Sequence, residues 1–380
     1  METPGKIQNV VEIKEEEQDI KYYKLYNKMF LDVIEYLKTQ KVLLYGGQAI
    51  HELMPTKYKI YPKYKLPDID IFTLNGHELA KKVQKFLERK KYQFPYIKEA
   101  LKQGTYKVYA ESIPILDITT ISRKLFIKLS ENSSIKQSGL RIVNPLFLRL
   151  SMHMILSQST DAFRWEKTYK RLINYYKVFK PLSSSTVSTS KSNIPQSLID
   201  NTYKTLDNTN CILFGMNEFK KLNIHVHNNV PKFVIVIDKE IPLHVYAKEL
   251  INALTTDSLT TELSIGIYNE RNTILPEHIF INCNSEPFIV IFFGEVCLTY
   301  HLTNICSIHT VMRLYLGMLI LSSNAKVASN IKQMMDNLTT KLLQKKSKNK
   351  LLDQFIPDCF GENLGLVTLR RERMIRENKK

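Results

Sequence analysis

The sequence predicts an α+β protein of two tandem lobes, each a mixed sheet with flanking helices, the second a worn copy of the first. Three observations predict it. Short apolar or β-branched runs of strand length alternate with longer stretches of helical periodicity from residue 18 to about 340. Three segments recur in the same order: LLYGGQAIHEL (43–53) returns as ILFGMNEFKKL (212–222), HELAKKVQKFL (77–87) as HVYAKELINAL (244–254), and FLRLSMHM (147–154) as VMRLYLGM (311–318). Between the halves lies LSSSTVSTSKSN, residues 182–193, a Ser/Thr-rich run with no apolar periodicity that reads as a linker or surface loop.

The expected organisation is a mobile arm over 1–17, a first domain over 18–181, the linker, a second domain over 194–340 and a basic segment over 341–380. Residues 18–39 carry apolar side chains at helical spacing. A strand over 41–45 and a short helix ended by Pro55 follow, then a strand in DIDIFT. GHELAKKVQKFLERK reads as an amphipathic helix. Strands follow near 106–111 and 114–120, then helices over 144–157 and 162–178.

Five residues in the first half carry chemistry. Gly46 and Gly47 stand between an apolar run and a helical pattern. Asp68 and Asp70 sit two apart in LPDIDIFT, and Asp117 sits in IPILDITT. Side chains two apart on a strand share a face, so both carboxylates look one way while Ile69 and Ile71 look the other. A third carboxylate from another strand completes a cluster that hard divalent ions suit. Two such ions about 3.5–4 Å apart activate an attacking hydroxyl and stabilise a leaving pyrophosphate. The glycines let backbone approach a phosphate, and the helix after them aims amides at it. A lone D-x-D is common in surface turns and a lone Gly-Gly is ordinarily a turn; their order together with Asp117 is what carries weight.

The order Gly-Gly, short helix, D-h-D-h (h apolar) and later h-D-h resembles the polymerase-β-type nucleotidyltransferase superfamily. LLYGGQAIHEL, LPDIDIFT, IPILDITT and DAFRWEKTYKRLINYY are similar to the poly(A) polymerase catalytic subunits of large cytoplasmic DNA viruses. The resemblance implies template-independent addition of AMP from ATP to RNA 3′ ends, with two Mg²⁺ or Mn²⁺ ions on Asp68, Asp70 and Asp117. It implies two nucleotidyltransferase-like lobes, the second degenerate. It further implies action in the host cytoplasm at the viral factory, or packaging in the virion. Some relatives need a partner subunit and others act as homodimers; a homodimer is expected here. The superfamily's usual Gly-Ser is Gly46-Gly47 in this chain, so backbone amides, with Gln48, are expected to hold the phosphate. Other terminal transfer chemistries, uridylyl or oligoadenylate, share such a site. A non-catalytic RNA-binding subunit would fit the charge but not the aspartates.

The second half lacks the chemistry. FVIVID (233–238) stands for the DIDIFT strand, with Asp70 expected to map near Ile237 and only Asp238 nearby. PFIVIFFG (287–294) stands for PILDITT without a carboxylate, and Met216 follows Gly215. This lobe is expected to wall a cleft, hold RNA or form a dimer surface.

A formal net charge of +17 over 380 residues favours a polyanionic partner, although abundant lysine also follows from genome composition. Lys57, Lys59, Tyr61, Lys63 and Lys65 lie in PTKYKIYPKYKLP, where lysines follow phosphates and tyrosines stack on unpaired bases; a solvated loop or a flap accounts for them equally. Arg123 and Lys124 follow Asp117 and are candidates for the triphosphate, or for surface ion pairs. Arg164, Lys167 and Arg171 share one helix face as RNA candidates, with Trp165 toward the core. No apolar run approaches a membrane span, and the N-terminus is polar, unlike a signal peptide. The five cysteines have no C-x-x-C pairing and read as buried thiols of a reducing compartment.

Overall fold

The computed structural model describes residues 4–181, 194–207, 209, 211–237, 241–255, 261–270, 272–294, 296–298, 305–344, 358–360, 371 and 373–375. The Ser/Thr-rich run 182–193, Asp238 and most of the basic segment 341–380 lie outside these residues. The chain forms two compact units, residues 1–148 with 365–380, and residues 149–364.

In the first unit, α1 (Pro4–Lys38) starts before the expected residue 18, because VEIKEEEQDIK is rich in the good helix formers Glu, Lys and Gln and holds no Gly or Pro. It buries Met29, Val33 and Leu37, spaced four apart on one face. Then come β1 (Leu43–Tyr45), α2 (Gly46–Leu53), a 3₁₀ turn (Thr56–Tyr58), β2 (Ile69–Thr73) and α3 (Gly76–Arg89). β3 (Tyr96–Glu99), β4 (Thr105–Ala110), β5 (Ile113–Thr120), α4 (Arg123–Ser130), β6 (Ser134–Ile135) and β7 (Arg141–Ile142) complete the sheet region. The sheet order is β3-β4-β5-β2-β1-β7-β6. α3 buries Leu79, Ala80, Val83 and Leu87. His77 lies against Tyr106, and Tyr36 stacks on Phe86 with ring centres 4.5 Å apart. α3 therefore covers the sheet face that carries Ile71, Ile118 and Val108, all fully buried. β3, β6 and β7 escape a periodicity reading because runs of four and two residues hold too few alternations.

Helix α5 (Pro145–Leu156) crosses the division between the units, and α6 (Trp165–Val178) follows after a 3₁₀ turn (Ser159–Arg164). The second unit adds α7 (Gln196–Asp207), β8 (Cys211–Phe214), α8 (Met216–Lys221), β9 (Phe233–Ile237), α9 (Leu243–Leu254), β10 (Leu263–Asn269), β11 (His278–Cys283), β12 (Glu286–Phe293) and β13 (Val296–Leu298). α10 (Ile308–Leu321), α11 (Ala325–Leu343) and β14 (Asp358–Phe360) end it. Its main sheet runs β10-β11-β12-β9-β8. Cys211, Cys283 and Cys306 are buried free thiols. Among the described residues no helix is long and apolar enough to cross a membrane.

The internal copy is visible strand by strand. β1 pairs antiparallel with β2 and β2 parallel with β5, as β8 does with β9 and β9 with β12. Val143 donates to the Leu44 carbonyl at 3.0 Å, and Cys306 donates to the Leu213 carbonyl at 2.9 Å. These registers correct the expected correspondence. Tyr45 stands opposite Asp70 and Phe214 opposite Val234, so Asp70 maps to Val234 and not to Ile237. Asp117 maps to Val290, opposite Val234, and Asp68 maps to Lys232. The spacing between the 147–154 and 311–318 segments holds here, not that between 77–87 and 244–254, which placed the pair three residues late; β9 and β12 are uniformly apolar and any register fits. The second sheet thus has two valines and a lysine where the first has three carboxylates. Lys232 is fully buried, and its ammonium donates to the His227 and Val230 carbonyls.

A buried polar chain ties the helices of the second unit. Arg149 donates to Asp336 at 2.7 Å, to the Met335 carbonyl at 3.0 Å and to the Tyr176 hydroxyl at 3.0 Å. His153 Nε2 lies 2.7 Å from the same hydroxyl, and its Nδ1 lies 2.9 Å from His309 Nδ1. One proton serves both Nδ1 atoms, so the pair is stable only while one accepts. Burial, then the charges of His309 and Arg149, hold His153 well below the ordinary histidine value. Below about pH 6.5 the unfolded chain therefore binds a proton that the folded one refuses, and stability falls as pH falls, by about 1.4 kcal/mol per unit for this group. Melting temperature is expected to be level from pH 8 to 7 and to drop below about 6.5, with the drop blunted in His153→Gln; calorimetry across pH checks it.

Candidate active site

The aspartates are assembled by strand pairing. Asp70 and Asp117 are direct partners across the parallel β2–β5 pair, and Lys107 is the partner of Asp117 across the antiparallel β4–β5 pair. Side chains on one such row share a face, the one opposite α3. Asp68 immediately precedes β2 and is exposed. The site lies at the N-terminal end of β2 and the middle of β5, where β1 ends in the glycines. Beyond the aspartates on the same face, Tyr45 stacks on Phe72 with ring centres 3.8 Å apart, and its hydroxyl lies 3.0 Å from Thr119 Oγ1. Phe147 meets both rings edge-on and closes this floor.

The two glycines have separate reasons to be there. Gly46 has φ +69°, and a Cβ on it would fall 2.2 Å from Asp70 Oδ2. It permits both a left-handed backbone and direct contact with the carboxylate. A Cβ on Gly47 would fall 2.0 Å from the Tyr61 hydroxyl. The departure from Gly-Ser thus makes room for a phenol reaching in from the 55–67 loop, whose backbone is held by Tyr61 N donating to His51 Nδ1 at 3.2 Å. Gly46→Ala is expected to displace Asp70, lowering turnover roughly 10²-fold for a shift on the order of 1 Å with a much smaller change in melting temperature; steady-state kinetics beside a thermal melt checks it.

Charge repulsion needs an answer at this site. Two carboxylates on neighbouring strands, about 5 Å apart, repel by about 3 kcal/mol at an effective dielectric of about 20. Burial first, and the Asp68 charge in addition, push the Asp117 carboxyl above its usual range, while Lys107 pulls it back. Burial draws the Lys107 ammonium down, but its ion pair with Asp117, aided by Asp68, outweighs that and holds it above the ordinary lysine value. Among the described residues no three acidic, histidine or cysteine side chains converge as a ready metal cage; Lys107 supplies the positive charge instead. Carboxylate oxygens are the donors that hard divalent ions suit. Lys107 was missed from the sequence. Its signal is a lone lysine in TYKVYA, the strand that precedes IPILDITT.

The other expected contacts are placed unevenly. Gln48 Nε2 donates to Glu52 at 2.8 Å, and Glu52 accepts from Ser138 N and Oγ, so the Gln48 amide is tied to the 134–142 region. Arg123 and Lys124, expected beside the triphosphate, open α4 beyond the opposite, C-terminal end of β5 and are exposed. Lys57, Lys59, Lys63 and Lys65 are exposed on the loop before Asp68; Lys65 pairs with Asp19 at 2.6 Å, and Lys63 lies over the Tyr64 ring. Arg164 and Lys167 are exposed and Arg171 half-buried in the second unit. Trp165 turns inward there, donating to the Ile155 carbonyl at 2.8 Å.

Comparison with known proteins bears on the same segment. Residues 32–162 match the family model of the poly(A) polymerase catalytic subunit. A candidate poly(A) polymerase catalytic subunit of Acanthamoeba polyphaga mimivirus is 25% identical over 156 residues, 40% of this chain and 26% of that protein. Its counterpart in African swine fever virus (isolate Pig/Kenya/KEN-50/1950) is 25% identical over 143 residues, 37% of this chain and 30% of that protein. The aligned parts thus span under a third of these relatives. The crystal structure of the Megavirus polyadenylate synthase shares the fold, with a TM-score of 0.76 over 100% of this chain and 84% of that one, at 16% identity.

Proposed function

We propose that this chain, whose residues 32–162 fall in the poly(A) polymerase catalytic-subunit family, adds AMP from ATP to the 3′ end of RNA without a template. The observation that carries the reading is the cross-strand row Asp70–Asp117, with Gly46 directly under Asp70, inside the matched segment. A bond forms between the RNA 3′ oxygen and the α-phosphorus of ATP; the bond to the bridging α–β oxygen breaks and pyrophosphate leaves. Asp68, Asp70 and Asp117 would hold divalent ions, Mg²⁺ or Mn²⁺. When bound, these supply charge stabilisation for the attacking and leaving oxygens. Asp117 takes the proton of the 3′ hydroxyl. Gly46 and Gly47 present backbone amides to the β- and γ-phosphates at the start of α2. The Tyr61 hydroxyl, set against Gly47, donates to the same phosphates. Most of the acceleration comes from positioning and preorganised charge.

Extension of a labelled RNA primer, with each nucleotide supplied separately and with or without Mg²⁺ or Mn²⁺, tests it. Metal-dependent tailing with ATP alone is expected. Tailing with UTP would assign uridylyl transfer, and oligomers made without primer would assign the oligoadenylate type. RNA binding with no extension would leave a binding subunit. A homodimer is proposed as the working form, and sedimentation at working concentration checks that.

A further inference from the structure

The face that carries the aspartates does not stop at Lys107. In the register of β3 and β4, Lys98 pairs with Lys107 and Tyr96 with Tyr109. Lys107 and Tyr109 are two apart on β4, so all four side chains share the face of Asp117 and Asp70. The opposite face takes the partner residues Ile97 and Val108, and Val108 is fully buried. β3 is the sheet edge, Lys98 is exposed, and Tyr96 is 45% exposed. The two tyrosine rings stack at 4.6 Å and 3°. The β4–β5 pairing shifts register between Val108 and Tyr109, a bulge of the kind that re-aims side chains beside active sites. The tyrosines lie toward the same end of the sheet as Asp68 and the glycines, because β4 and β5 run antiparallel and Tyr109 stands opposite Pro114, upstream of Asp117.

We propose that this apron, Tyr96 and Tyr109 with Lys98, binds the single-stranded RNA just behind its 3′-terminal nucleotide. The inference rests on the RNA-acceptor reading above and names where that acceptor lies. Two strand spacings separate Asp117 from Lys98, about 10 Å, which suits nucleotides leading up to the reacting end. Stacked aromatic rings accept a base of any sequence, and flanking lysines follow the phosphates. A cross-strand tyrosine pair that served only the edge hairpin would need neither an exposed ring nor two lysines beside it.

The test is fluorescence anisotropy of a short 5′-labelled oligoadenylate on the full chain, with steady-state extension in parallel. Tyr96→Ala is expected to weaken RNA binding about tenfold and to raise KM for RNA far more than KM for ATP. Tyr96→Trp, which keeps a stacking face, should restore binding. Lys98→Glu, at an exposed position, should weaken it several-fold, with a larger effect at low salt. The apron is overturned if Tyr96→Ala and Lys98→Glu both bind RNA within twofold of the parent, or if the parent binds none. Unaltered binding in those variants beside Asp70-dependent tailing would sink the apron alone. Apron-dependent binding by a parent that extends no primer would sink the proposed reaction alone.

Discussion

Asp70→Ala and Asp117→Ala are each expected to lower primer extension by at least about 10³-fold while leaving the fold in place. Each removes one of two carboxylates that face each other across β2 and β5, and the loss of charge stabilisation at such a centre is worth several kcal/mol. Asp117→Ala carries a second consequence, since it strips Lys107 of its partner and leaves an ammonium where cations should gather. Asp117→Asn keeps the shape, with a neutral amide that still accepts from Lys107, and should be equally inactive. Melting temperature should fall little in either case, because both carboxylates are held against mutual repulsion. Extension by clean Asp70→Ala protein at a tenth of the parent rate or better would remove this row from the chemistry.

The largest stability effect is expected at Arg149, in the second unit. Arg149 is 8% exposed, and its guanidinium donates to Asp336, itself 3% exposed, and to Tyr176, the Met335 carbonyl and Thr339. Arg149→Met leaves Asp336 to Lys332, 2.6 Å away and nearer solvent. Breaking one side of a buried pair costs roughly 3–5 kcal/mol, which for a unit of this size lowers the melting temperature by about 10 °C. The double variant Arg149→Met/Asp336→Leu should recover much of the loss, since burying two apolar groups carries no stranded charge. Calorimetry of the three variants decides; a double variant no better than the single would show that the pair itself, and not the unpaired partner, sets the stability.

Some of this was legible in residue order. Gly46-Gly47, the D-x-D pair and Asp117 are local patterns; Asp68 and Asp70 were expected two apart on one strand, but β2 begins at Ile69 and Asp68 stands just ahead of it. The echo of three segments foretold two sheets of the same order, and the paired registers of β1-β2-β5 and β8-β9-β12 bear it out. Other features were not legible there. Asp70 matched against Ile237 by simple offset, whereas the register gives Val234. That Arg123 and Lys124 open α4, past the C-terminal end of the strand of Asp117, was not legible there either.

What the sequence determined by itself is the set of short-range features: which of the longer segments are helix or strand, that the first half carries the carboxylates, and that the second half has lost them. Those depend on side-chain period, and period is a property of neighbours along the chain. What only the tertiary structure decided is pairing across the chain. Lys107 on Asp117, Tyr61 against Gly47, Lys232 in the place of Asp68, the Tyr96–Tyr109 apron and the Arg149–Asp336 tie each join residues whose separation in sequence carries no signal. Apolar strands accept several registers almost equally, and the choice among them is made by packing and by the charges that must find partners.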